Sequence, residues 1–115
     1  ATAASRLNGC LYCASVHARF ATQHSKRFSD VQSLLDEGVS TRIDERWDAI
    51  IDASVALSET PLGFTAEHIE RLRAVGMDDQ AIADAIYAIS FFNWANRLML
   101  SLGEPEVPTR TKKRS

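Results

Sequence analysis

The stretch NGCLYCASVHARF, residues 8–20, holds both cysteines of the chain, Cys10 and Cys13, and one of its three histidines, His17. On a helix, positions 10, 13 and 17 stand at i, i+3 and i+7, so the three side chains share one face. Cys10 follows Gly9 at or near a predicted helix N-terminus, where unpaired amide N–H groups and the helix dipole favour a thiolate. Side chains on a helix lean toward its N-terminus, so His17 reaches back toward Cys13 and can take its proton directly or through one water. Cys13 is then the base-assisted thiol. Cys10 supplies a second sulfur that can close a disulfide once Cys13 has been oxidised.

Two other readings fit the same residue types. Cys, Cys and His are all good zinc ligands, but on a continuous helix Cys10 and His17 lie about 10 Å apart along the axis, and His24 about 10 Å further on. One ion does not easily collect that set, and the expectation is no metal. In the remaining reading, two small thiols and a satisfied histidine simply pack on an apolar face.

The elements that would position these residues are helical. Only five glycines and three prolines punctuate 115 residues, and no stretch alternates apolar and polar side chains as a strand does. A segment from Ala1 to Leu7 is interrupted at Asn8-Gly9 and resumes as a helix over Cys10–His24. A short helix follows in FSDVQSLLDEG, with Ser29 as its predicted N-cap and Gly38 past its end. STRIDERWDAIIDASVALSETP places Ile43, Trp47, Ile50, Ile51, Val55 and Leu57 largely on one stripe and ends at Thr60-Pro61. FTAEHIERLRAVG starts after Thr65 and stops at Gly76, with His68 read as a surface histidine. Asp78 then caps the longest helix, which closes at Gly103. Beyond Ala85 it is apolar on nearly every side, the pattern of a helix buried centrally or at a subunit interface. The fold class is therefore all-α, one domain over residues 1–103, with a flexible basic tail over 104–115.

Composition narrows the partners. With 13 Lys+Arg against 15 Asp+Glu the net charge is −2, too small to draw the chain to nucleic acid or an anionic membrane by its field. No apolar run reaches the 18 or so residues of a membrane span, and no signal segment opens the chain. The expectation is a cytoplasmic protein, where CxxC spacing points to redox chemistry or metal more readily than to a staple. The chain opens at Ala1 in helix-forming sequence without an N-cap, so the polypeptide is expected to begin further upstream.

ASRLNGCLYCASVHARFA resembles the Cys-x-x-Cys-x-x-x-His signature of the carboxymuconolactone decarboxylase and alkylhydroperoxidase D family, and FFNWANRLMLSLGEP resembles the closing helix of its peroxidase-related branch. The resemblance implies an all-helical, oligomeric bundle of the alkylhydroperoxidase D-like type. It implies a thiol peroxidase in which a CxxC pair reduces organic or hydrogen peroxide and is re-reduced by a protein dithiol, with no cofactor besides that redox-active pair. Cys10, Cys13 and His17 carry over as catalytic residues. The family's relay glutamate stands about a dozen residues before the first cysteine, a position that precedes Ala1. Tyr12 stands where some members have a second histidine. It can donate a hydrogen bond but is a poor base at neutral pH.

Further residues are candidates for a pocket wall. Asn93, Asn96 and Arg97 interrupt the most apolar helix, where buried amides must find partners. They line a pocket, bridge subunits or tie neighbouring helix ends. Phe91, Phe92 and Trp94 read as core or interface, and Tyr12, Asn93, Asn96 and Trp94 together as the pocket candidates. A rival function class comes from IERLRAVGMDDQAIADAIYAI, which has the look of a DNA-binding helix-turn-helix. Its second helix offers Asp79, Gln80 and Asp84 rather than basic side chains, which speaks against nucleic acid.

Overall fold

The computed structural model describes residues 1–103; the expected basic tail, 104–115, lies outside the described residues. Six helices follow one another: α1 Thr2–Leu7, α2 Leu11–Ser25, α3 Phe28–Glu37, α4 Glu45–Ser58, α5 Ala66–Ala74 and α6 Asp79–Leu102. No strand occurs among the described residues, and none of these helices is long and apolar enough to cross a membrane.

The central element is the shortest one. α1 packs against α2, α3, α4 and α6, and its Thr2, Ala3, Ala4 and Ser5 are all buried. Only side chains this small let four helices close around six residues at near-crystalline density. α6, expected to be buried centrally or at a subunit interface, buries only Ile82, Ile89, Asn93 and Asn96 within the chain, and Tyr87, Phe91, Trp94, Leu98 and Leu102 stand exposed on it.

Two apolar clusters flank α4. Ala49, Ala53, Leu72, Met77 and Ile82 join α4, α5 and α6, and Ala3, Leu34 and Ile51 join α1, α3 and α4. The stripe expected on α4 is thereby redistributed. Its most buried residues are Ala49, Ile51, Ala53, Ser54, Ala56 and Ser58, because α4 meets neighbours on several sides and close approach selects small residues. Ile43 and Ile50 pack at the cluster edges. Trp47 turns outward beneath the Arg27 guanidinium, 4.2 Å from its ring centroid.

Most helix boundaries obey their capping chemistry, while α1 and α3 start without a side-chain cap. Asp44 and Asp78 cap α4 and α6 by accepting from the amides of Trp47 and Ala81 at 2.8 Å. His68, partly exposed as expected, closes a capping box with Thr65 and stacks on Phe64. Ser29 does not cap α3. The chain leaves α2 through Lys26 in the left-handed region and enters α3 at Phe28, which places Ser29 inside the helix and Arg27 at the N-cap position. Arg27 pairs instead with Asp30 and Asp44, each at 2.8 Å.

Candidate functional site

Cys10 is set in place by two helices at once. α1 ends at Asn8, Gly9 adopts φ +76°, and two hydrogen bonds close the turn: Gly9 N–H to the Arg6 carbonyl at 3.3 Å and Cys10 N–H to the Ser5 carbonyl at 3.0 Å. This 6→1, 5→2 pairing is a Schellman motif, which needs a left-handed residue at Gly9. The next residue, Cys10, is already the N-cap of α2. The expectation of Cys10 inside the helix is therefore corrected by one residue, and the axial-rise argument against zinc loses its premise there. Among the described residues no group of three or more His, Cys, Asp or Glu side chains is placed to hold a metal ion.

At the N-cap, the Cys10 sulfur takes the role usually filled by a Ser or Asp oxygen, accepting from the Cys13 amide at 3.3 Å. It is also bonded covalently to Cys13. The disulfide sits at the positive end of the α2 dipole, where a released thiolate would be stabilised by the same N–H groups. Both sulfurs are covered: Cys10 is 0% and Cys13 5% exposed. Cys13 Sγ lies 3.4 Å from the Met99 thioether on α6. With no proton on a disulfide sulfur this is a soft packing contact, and in the dithiol the Cys13 S–H could point to Met99.

His17 lies one turn beyond Cys13 on α2. Its ring packs edge-on against Phe92, centroids 4.3 Å apart, and no hydrogen bond joins it to Cys13 in this disulfide state. Burial holds the imidazole below its ordinary value, which favours the neutral ring at pH 7, able to accept a proton. Tyr12 is half-buried in the first turn of α2, between the cysteines.

The amides of α6 are occupied by the turn that carries Cys10. Asn8 Nδ2 donates to Asn93 Oδ1 at 2.8 Å and to Asn96 Oδ1 at 3.2 Å. Asn93 Nδ2 donates to Ser58 Oγ and to the Ile89 carbonyl, and Asn96 Nδ2 to Ser5 Oγ at 3.1 Å. Arg97 reaches the Ser58 carbonyl at the end of α4. This is the third of the roles open to these residues, the tying of helix ends.

Of the pocket candidates, Asn93 and Trp94 line a hollow of about 530 Å³ with Leu57, Arg97 and Leu98. Asn96 is fully buried and outside it. A second hollow, of about 610 Å³, runs between α2 and α3 past Arg19, Phe28 and Val31. Neither of these two contains Cys10, Cys13 or His17. Sequence reasoning missed Ser5, Asn8, Ser58 and Met99. Asn8 reads only as a turn residue, and nothing local marks contacts made some ninety residues away. Against models of known protein families the chain finds no match, and no curated protein is significantly similar to it.

Proposed function

We propose that the chain is a thiol-dependent peroxidase that cycles between a Cys10, Cys13 dithiol and the disulfide. The observation that carries this reading is the placement of a CxxC disulfide at the N-terminus of α2, its Cys10 sulfur accepting an amide hydrogen bond, with a neutral histidine one turn beyond Cys13. The resemblance of residues 4–21 to the Cys-x-x-Cys-x-x-x-His signature points the same way.

In this cycle His17 takes the Cys13 proton and the Cys13 thiolate attacks the terminal oxygen of ROOH. The O–O bond breaks, Cys13 becomes a sulfenic acid, and the departing alkoxide takes up a proton to leave as ROH. Cys10, held as a thiolate at the N-cap, attacks the Cys13 sulfur; hydroxide leaves with a proton as water and the disulfide forms. A protein dithiol returns both electrons and two protons. A loop this short contributes only about 2 kcal/mol through chain entropy, so the dithiol form remains folded for the next turn.

Burial of both sulfurs supports a second reading, in which the thiols are structural and the chain is a helical interaction module. Intact mass and free-thiol counts on reduced protein after one equivalent of an organic hydroperoxide separate the two. The peroxidase loses two thiols and about 2 Da, Cys10→Ser leaves a trappable sulfenic acid, and Cys13→Ser is inert. His17→Gln slows the thiol loss about 100-fold, and the wild-type rate falls with acid at a lower pH than an ordinary histidine would give, since the folded imidazole resists protonation. Thiols that survive peroxide at the buffer-control rate would sink the peroxidase reading.

A further inference from the structure

The outer face of α6 carries Tyr87, Phe91, Trp94 and Leu98, with Leu102 at its end, exposed by 75, 55, 60, 41 and 79%. Steps of four, three and four residues keep Tyr87 to Leu98 on one line, the spacing of a helix–helix seam, over about 16 Å of axis. Aromatic side chains of ~150–250 Å² each, exposed to this extent, leave roughly 600 Å² of contiguous apolar surface. That is at the upper end of what a monomer leaves to water, about 300–600 Å², and approaches the ~800 Å² per partner of a stable interface.

The same face also carries a receptor for such a ridge. The 530 Å³ hollow between Leu57 of α4 and Trp94, Leu98 and Leu102 of α6 opens beside it. A surface holding ridge and hollow side by side is what a two-fold contact requires, because one patch must complement itself. An antiparallel arrangement sets the Tyr87, Phe91 end of one helix against the Leu98, Leu102 end of the other, where the hollow lies. Residues 104–115 make a poor alternative cover, since Val107 is their one aliphatic side chain besides two prolines.

We propose that a second copy of this chain docks on this stripe through an antiparallel α6–α6 seam, each copy's aromatic ridge entering the other's hollow. The inference is independent of the peroxidase reading. It bears on the disulfide nonetheless, because the other side of α6 supplies Phe92 to His17, Asn96 to Asn8 and Met99 to Cys13.

Sedimentation of the full chain tests it. The expected particle at about 100 µM, a concentration at which even micromolar association is saturated, has twice the 12.7 kDa chain mass. Trp94→Glu with Leu98→Glu gives the single-chain mass, and so does Tyr87→Arg, a substitution at a position exposed enough to leave folding untouched, with helical circular dichroism retained. Phe28→Glu, on an equally exposed apolar residue of α3, leaves the dimer intact. A wild-type chain that sediments as a monomer or a trimer, or a Tyr87→Arg chain that stays dimeric, overturns the seam.

Discussion

At the scale of single residues, the disulfide depends on polar atoms that never touch it. Asn8, beside Gly9, spends its amide on Asn93 and Asn96, and Asn96 spends its own on Ser5. All of this lies in an interior where every fully buried side-chain N or O among the described residues has a hydrogen-bond partner. Cutting Asn96 back to alanine leaves the Ser5 hydroxyl without its donor and Asn8 with one acceptor fewer, a loss of roughly 1–3 kcal/mol. Urea unfolding of Asn96→Ala measures it, and a double-mutant cycle with Ser5→Ala isolates the shared part as a coupling above about 0.5 kcal/mol. A cycle in which the two effects simply add would show that Asn96 acts by packing alone. The sequence does show that two amides in an apolar helix must be satisfied. It does not show by whom, because Asn8, Ser5 and Ser58 lie 35 to 91 residues away from them and hydrogen bonding across such a distance leaves no local pattern.

At the scale of elements, boundaries are the most legible feature. Gly9, Gly38, Gly76, Gly103 and Asp78 all act where capping chemistry puts them, and Asp44, not singled out in the sequence, caps α4. The failures have separate causes. Ser29 was displaced from its cap by a link too short to hold it outside α3, and the α4 stripe was rearranged because periodicity weighs side-chain size while close helix contacts reward smallness. The Asn8-Gly9-Cys10 junction tests how far local backbone governs the site. Nothing stands within 4 Å of a Cβ added at Gly9, so Gly9→Ala meets only the cost of a left-handed alanine, about 1–2 kcal/mol. Thermal or urea unfolding reads that loss directly. A loss of less than about 0.3 kcal/mol would mean that the turn relaxes and does not fix Cys10.

At the scale of the whole molecule, the all-helical class was legible in the sparse glycine and proline and in the absence of alternation, whereas the hierarchy of helices was not. α6 is the most apolar in sequence, yet α1, six residues of small side chains, occupies the centre. Small residues carry a weak hydrophobic signal, and their burial becomes visible only when four neighbours are in place. That centre also orders events in time. α1 is made early, but Ser5 and Asn8 are satisfied only when Asn96 arrives, while the cluster of α4, α5 and α6 is built from neighbours in sequence. Loop closure this long is the slow kind. In refolding, pulse-labelled amides of α5 and the first half of α6 should gain protection before those of α1, and simultaneous protection would refute this order. The cradle of the two sulfurs is then the last part of the molecule to take shape, so a nascent chain passes through an interval in which it carries both thiols and has nowhere to shelter them.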